Sequence, residues 1–299
     1  MIVDGSYMLH RALRIPENFS AENGGVQQFF KSLKYELKRN LGYFPITVWD
    51  CGLSRRRLEL YPNYKQGDHR GAFTGDEIDN YLEVYGNQRD MAINILKVFG
   101  IPAIRISDWE GDDIIYLVSR ITDDVVLVSD DKDFYQLVST NLKVSRPLAG
   151  EVVTEKNLAE KDLTPELCLV SKCIMGDRSD NIPNVARGLG KVNAERLARI
   201  IIDNPDTYLG IIGESNKKVD QEFVKNHETY LLNKKLIDLS ELDTEKKDDI
   251  LDIVLNEISS VMGKVNYIDA VTCFAENNIK EVDADTIITN VSFPQKHYL

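Results

Sequence analysis

In the first half of the chain, one short apolar run after another ends in carboxylates. Asp4 follows Met1-Ile2-Val3, and Asp50 follows Ile46-Thr47-Val48-Trp49. Glu110, Asp112 and Asp113 follow Ile104-Arg105-Ile106 at a helix start, and Asp130, Asp131 and Asp133 follow Val125–Val128. Asp177 and Asp180 close the run Leu169–Gly176. Met1–Val3, Ile46–Trp49, Ala103–Ile106, Val125–Val128 and Leu142–Ser145 read as strands. Between them, Val26, Phe29, Phe30, Leu33 and Leu37 recur at helical spacing across Val26–Asn40, and Met91–Phe99 and Asp112–Ile121 read as helices too. This alternation predicts an α/β fold, a mostly parallel sheet with helices on both faces. Ligands bind outside the carboxyl ends of the strands in such a sheet, and the acids fall there.

Like charges converging in this way are costly unless cations compensate them. All-oxygen donors without His or Cys select hard cations, Mg²⁺ or Mn²⁺. More than four candidate carboxylates suggest two ions about 4 Å apart, which clamp the attacking and leaving oxygens of a phosphoryl centre. Each acid group alone has an ordinary explanation. Asp4 and Asp50 could cap helices or sit in turns, and Glu110–Asp113 could be an acidic first turn. The pointer is the set of five groups on one edge.

From about Thr164 the chain turns to helix after helix. Residues 1–160 read as an α/β domain and 161–299 as a helical region, with an insertion at about 61–90 too long for an ordinary connection. Residues Asp243–Leu299 carry no motif, and their Ile, Leu and Val spacing supports packed helices. No apolar run is long enough to span a bilayer, and Met1-Ile2-Val3-Asp4 reads as a core strand rather than a signal peptide. A cytoplasmic protein is expected. Cys168 and Cys173 share one apolar helix with no nearby histidine, so they read as free thiols rather than zinc ligands. A net charge of −12 argues by itself against a nucleic-acid partner. Bound cations reverse that inference locally.

Arg55, Arg56, Arg57, Lys65 and Arg70 form the densest basic stretch, interleaved with Tyr61 and Tyr64. Cations beside aromatics suit single-stranded nucleic acid; an exposed basic loop balancing an acidic protein is the plainer alternative.

At these residues the chain resembles the flap endonuclease and 5′→3′ exonuclease family, which includes phage exonucleases and the 5′-nuclease domain of bacterial DNA polymerase I. The matching pieces are Ile2-Val3-Asp4-Gly5, Val48-Trp49-Asp50, Tyr64-Lys65, Glu110-Gly111-Asp112-Asp113, Ser129-Asp130-Asp131-Lys132-Asp133 and Met175 to Pro183. The Gly176-Asp177-x-x-Asp180-Asn181 string is the most specific of them.

The resemblance implies a PIN-like fold with a helical arch over the site and a helix-hairpin-helix variant in the C-terminal helical region. It implies a first metal held by Asp4, Asp50, Glu110, Asp112 and Asp113, and a second by Asp131, Asp133, Asp177 and Asp180. Asp130 falls outside the pattern. Arg57 and Lys65 would contact the scissile phosphate as catalytic residues, with Tyr64 stacking on a base and Arg70 also binding DNA. Gly188 and Gly190 would grip duplex phosphates together with a K⁺ ion. Lys191 would be a further DNA contact, although it stands one position before the family lysine. Partners would be DNA with 5′ ends, flaps or branches, and replication proteins. The enzyme would be a monomer in a bacterial or phage-infected cell, cutting DNA or RNA:DNA. The rival readings are a PIN-like ribonuclease, a non-catalytic branched-DNA-binding relative and a small-molecule phosphatase.

Overall fold

The structure, a computed structural model, describes residues 1–66, 75–242 and 247–291. Arg70 and part of the expected arch therefore lie outside the described residues. Six strands, β1 (Ile2–Asp4), β2 (Ile46–Val48), β3 (Ala103–Ile104), β4 (Val125–Val128), β5 (Leu142–Arg146) and β6 (Glu151–Val153), form one sheet in the order β3-β2-β1-β4-β5-β6. Neighbouring pairs are parallel except β5 and β6, which pair antiparallel. The order reverses between β1 and β4, so the ligand crevice of an open sheet falls between them. Asp4 ends β1, and Asp131 follows β4 on the other side of that crevice.

β4 shows why the sheet is covered on both faces. Val126 and Val128 join one core with Val3, Phe29, Phe30 and Phe99, while Val125 and Leu127 join another with Ile2, Val48 and Val144. Successive side chains point to opposite faces, so a continuously apolar strand needs helices on both. The helices Gly5–Leu13, Gly24–Arg39 and Gly75–Val98 cover the first face, and Gly111–Ser119 covers the second.

A third core, with Leu167, Ile174, Leu197, Phe223 and Leu236, organises the helices between Pro165 and Ile237. The helices beyond residue 247 return to the sheet layers. Ile250, Val254 and Ile258 join the second core, and Phe274 packs with ring centroids 4.8 Å from Phe99 and 5.3 Å from Phe30. The first two cores therefore take residues from both sides of residue 160.

The expected insertion also differs in its second part. Gly75–Val98 is one 24-residue helix whose Tyr85, Ala92, Ile95 and Leu96 enter the first core. Among the described residues, no helix is long and apolar enough to cross a membrane.

Gly5 sets the floor of the site. A Cβ there would lie 2.5 Å from the Trp49 ring, so the first helix sits directly on the end of β2. That approach brings the Ser6 hydroxyl within 2.8 Å of the Asp50 N–H, which it accepts, and holds Asp50 beside Asp4.

Candidate active site

Asp4 caps the Gly5–Leu13 helix. Its Oδ1 accepts the Tyr7 N–H at 2.9 Å and its Oδ2 the Ser129 hydroxyl at 2.9 Å. Asp50 Oδ1 accepts the Gly111 N–H at 2.6 Å. Gly111 has room for little more, because a Cβ would stand 3.0 Å from that oxygen. Asp131 caps the short helical turn Lys132–Leu137 through the Asp133 N–H at 2.8 Å, and its own N–H donates to Ser129 Oγ at 3.2 Å.

Asp4, Asp50, Glu110, Asp112 and Asp131 line one cavity of about 880 Å³, with Lys65 beside them. Burial first, then repulsion from Asp50 and Asp131, pushes the Asp4 carboxyl up to about 7. Asp112 is raised well above the usual carboxylate range, by burial and then by Asp131, Asp4 and Asp50. Among the described residues, no three His, Cys, Asp or Glu side chains are already closed round one point as metal ligands. The fit to a metal rests on donor chemistry. An all-oxygen set whose buried carboxylates repel one another is what a hard divalent cation relieves.

The second group gathers in a narrow crevice lined by Asp133, Asp177, Asp180 and Lys172. The Lys172 ammonium lies 2.7 Å from Asp133 and 2.5 Å from Asp177. Asp177 also accepts the Ser179 N–H at 2.7 Å. Burial raises Asp177, but Lys172 and Ser179 together hold its carboxyl below the usual range. Burial and the neighbouring Asp131 push Asp133 up despite Lys172. Asp131, expected in this group, lines the larger cavity instead. Sequence reasoning missed Lys172; its signal is a charged residue inside the apolar helix Pro165–Met175, five positions before Asp177.

Three further expected site residues have surroundings that suit other roles. Arg57, expected at the scissile phosphate, has a side chain only 4% exposed. Its Nε donates to the Leu236 carbonyl at 2.8 Å, and its Nη1 to Glu110 at 2.9 Å and Asp113 at 2.8 Å. A buried guanidinium needs acceptors across its whole fork, so Arg57 is a counter-ion to the acids. Asp113, expected to hold the first metal, is fully buried against Arg57 and lines neither cavity. Tyr64, expected to stack on a base, is 2% exposed. Its hydroxyl donates to Glu110 at 2.8 Å, and its ring is flanked by Arg57 and Lys65.

Lys65 remains at the cavity. Its ammonium stands 3.1 Å from Glu110 and 3.9 Å from Asp180. Its backbone is left-handed, with φ of 50°, and its N–H donates to the Asp180 carbonyl at 2.9 Å. Asn181 donates from its side chain to the Asn63 carbonyl at 2.7 Å, so the Tyr64-Lys65 loop and the Asp177–Asn181 turn interlock.

The rings at this cavity come from residues to which the sequence assigned no role. His10 stacks on Tyr85 with centroids 3.9 Å apart and on Tyr81 at 5.8 Å, and Phe19 continues the row at 5.9 Å from Tyr81. Burial pushes His10 down to about 4, so its ring is neutral at pH 7. The available signal was Tyr81 and Tyr85 at i,i+4, on one helix face.

In the helical region, Gly188 and Gly190 flank the buried Leu189, and Gly190 opens the Lys191–Asp203 helix without a side-chain cap. Lys191 is 74% exposed with its ammonium 3.6 Å from Glu195.

A mostly parallel sheet with acids gathered at its switch point, a lysine beside them and a glycine turn opening a helix mark a metal-dependent nuclease. Residues 1–163 match the family model of the 5′-3′ exonuclease N-terminal resolvase-like domain, and the chain belongs to that family. It is 26% identical over 295 residues to a 5′-3′ exonuclease of Aquifex aeolicus, with 94% of each chain covered. It is 27% identical over 249 residues to DNA polymerase I of Bacillus caldotenax, covering 79% of this chain but only 27% of the polymerase. Among solved structures, the D15 protein of phage T5 co-crystallised with metal ions aligns with a TM-score of 0.71 at 25% identity, covering 87% of this chain and 98% of that one. The catalytic core of Rad2 in complex with DNA aligns with a TM-score of 0.50 at 14% identity, over 98% and 92% of the two chains, a likeness of fold alone.

Proposed function

We propose that the chain is a structure-selective 5′-nuclease that hydrolyses phosphodiesters at 5′ ends and 5′ flaps of DNA, with Mg²⁺ or Mn²⁺ as its two ions. The observation that carries this is the convergence of Asp4, Asp50, Asp112 and Asp131 on one cavity beside Lys65. When bound, two such ions supply a nucleophile at neutral pH and Lewis acidity at the phosphate.

The protein supplies position and charge. Asp4, Asp50, Asp112 and Asp131 would hold the first ion, with Glu110 fixed behind them by Arg57 and Tyr64. Asp133, Asp177 and Asp180 would complete the second site, where Lys172 holds two of the acids together. Lys65 carries a positive charge to the cavity, where it would stabilise charge developing on the phosphate. The half-buried rings of His10, Tyr81 and Phe19 border the cavity and would meet unpaired bases there, while Tyr85 anchors the row in the core. The Gly188–Gly190 turn and the start of the Lys191–Asp203 helix would receive duplex phosphates, with K⁺ beside them. The enzyme would act as a monomer in the cytoplasm of a bacterial or phage-infected cell, alongside replication proteins.

The test is cleavage in Mg²⁺ of a 5′-labelled DNA flap set against a single-stranded RNA of the same sequence. Junction cleavage of the DNA supports the proposal. Cleavage of the RNA alone supports a PIN-like ribonuclease instead.

A further inference from the structure

Asp130 stands between Ser129 and Asp131, yet it lines neither cavity. Its side chain is 7% exposed and fully engaged. Oδ2 accepts the Tyr7 hydroxyl at 2.7 Å and the Leu148 N–H at 2.8 Å. Oδ1 accepts the Ala149 N–H at 3.4 Å and lies 3.5 Å from Arg146 Nε. A buried carboxylate is tolerated when satisfied in this way.

The other ends of these contacts lead to the metal ligands. Tyr7 gives its backbone N–H to Asp4 Oδ1, while Ser129, the chain neighbour of Asp130, gives its hydroxyl to Asp4 Oδ2. Ser129 Oγ also accepts the Asp131 N–H. Both oxygens of Asp4 are thus held by residues tied to Asp130, one through a hydrogen bond and one through the chain.

The ladder between β1 and β4 ends at Val3 and Val128. Beyond it, no strand pairing opposes the mutual repulsion of Asp4 and Asp131. The bonds Ser129–Asp4 and Tyr7–Asp130 continue the connection across the switch point, just where the ligands begin.

We infer that Tyr7 and Asp130 form a brace that fixes the spacing of Asp4 and Asp131 and so sets the affinity of the cavity for a divalent cation. The inference rests on the metal-site reading above. Tyr7 lines the larger cavity but brings no carboxylate to it, and Asp130 lines neither cavity, so both act as positioning residues. Residues that orient metal ligands from behind typically change metal affinity 10- to 100-fold when removed.

The test is direct Mn²⁺ binding to the full chain without DNA, followed by electron paramagnetic resonance of the free ion. Tyr7→Phe keeps the ring and removes only the hydroxyl, so it preserves the fold if Asp130→Ala does not. Tyr7→Phe should weaken Mn²⁺ binding about tenfold. Asp130→Ala should do the same, and the double variant no more than the weaker single. The Mn²⁺ concentration for half-maximal cleavage should rise in parallel, with kcat at saturating Mn²⁺ within about twofold of the parent. Wild-type affinity in Tyr7→Phe overturns the brace, whatever happens to its melting temperature. If the parent chain itself fails to bind Mn²⁺, or Asp50→Asn binds it equally well, the metal-site reading falls and the brace with it.

Discussion

Arg57 and Asp113 meet through two parallel contacts sealed from solvent, Nη1 to Oδ2 at 2.8 Å and Nη2 to Oδ1 at 2.7 Å. Removing one partner of a buried pair leaves an uncompensated charge, which costs about 3–5 kcal/mol. Asp113→Ala should therefore lower the unfolding free energy measured in urea by about the lower end of that range, since Glu110 still pairs with Arg57, while Mn²⁺ binding by the folded protein stays near the parent value. Loss of metal binding with unchanged stability would restore Asp113 to the ligand set.

The buried acids make stability depend on pH and on metal together. Burial and then its acidic neighbours raise the Asp4 carboxyl from its ordinary 3.8 to about 7, and Asp112 is raised in the same direction. A carboxyl whose folded value exceeds its unfolded value contributes stability below the unfolded value and loses it as pH rises through the folded one. For Asp4 that window runs from about 4 to about 7. Thermal melts in EDTA should lose this contribution as pH rises across the window. Stabilisation by added Mg²⁺ should be larger at pH 7.5 than at pH 5. An equal Mg²⁺ effect at both would show that these carboxylates do not bind the ion.

Tyr81 stacks between Phe19 and His10 beside the acidic cavity. Base–aromatic stacking contributes about 1–3 kcal/mol per base. Tyr81→Ala should therefore raise KM for a single-stranded flap by roughly 5- to 150-fold. Steady-state kinetics on flap and blunt substrates would check this, and an equal effect on both substrates would argue for a packing role.

The sheet was legible because continuous apolar runs and terminal acids mark buried parallel strands. The strand β6 was not, since Glu151–Val153 is too short to show a period and pairs only because the chain turns back after β5. Residues 75–90 did not read as helix because Gly75, Gly86 and many charges blur the spacing, and tertiary packing decides the outcome. Asp112 and Asp113 could not be told apart either. They are neighbours in one helical turn, about 100° apart round the axis, and only the location of Arg57 assigns one to the cavity and the other to the core. The burial of Arg57 depends in turn on the Leu236 carbonyl, 179 residues away. No local pattern carries that information.

The most direct test of the metal-nuclease site is cleavage of a 5′-labelled DNA flap in Mg²⁺, in EDTA, and by Asp112→Asn and Asp113→Asn variants compared at equal folded concentration. Junction cleavage should require Mg²⁺ and Asp112 and should largely survive in folded Asp113→Asn. Tight, junction-selective binding with no cleavage by the parent chain in Mg²⁺ or Mn²⁺ would contradict it.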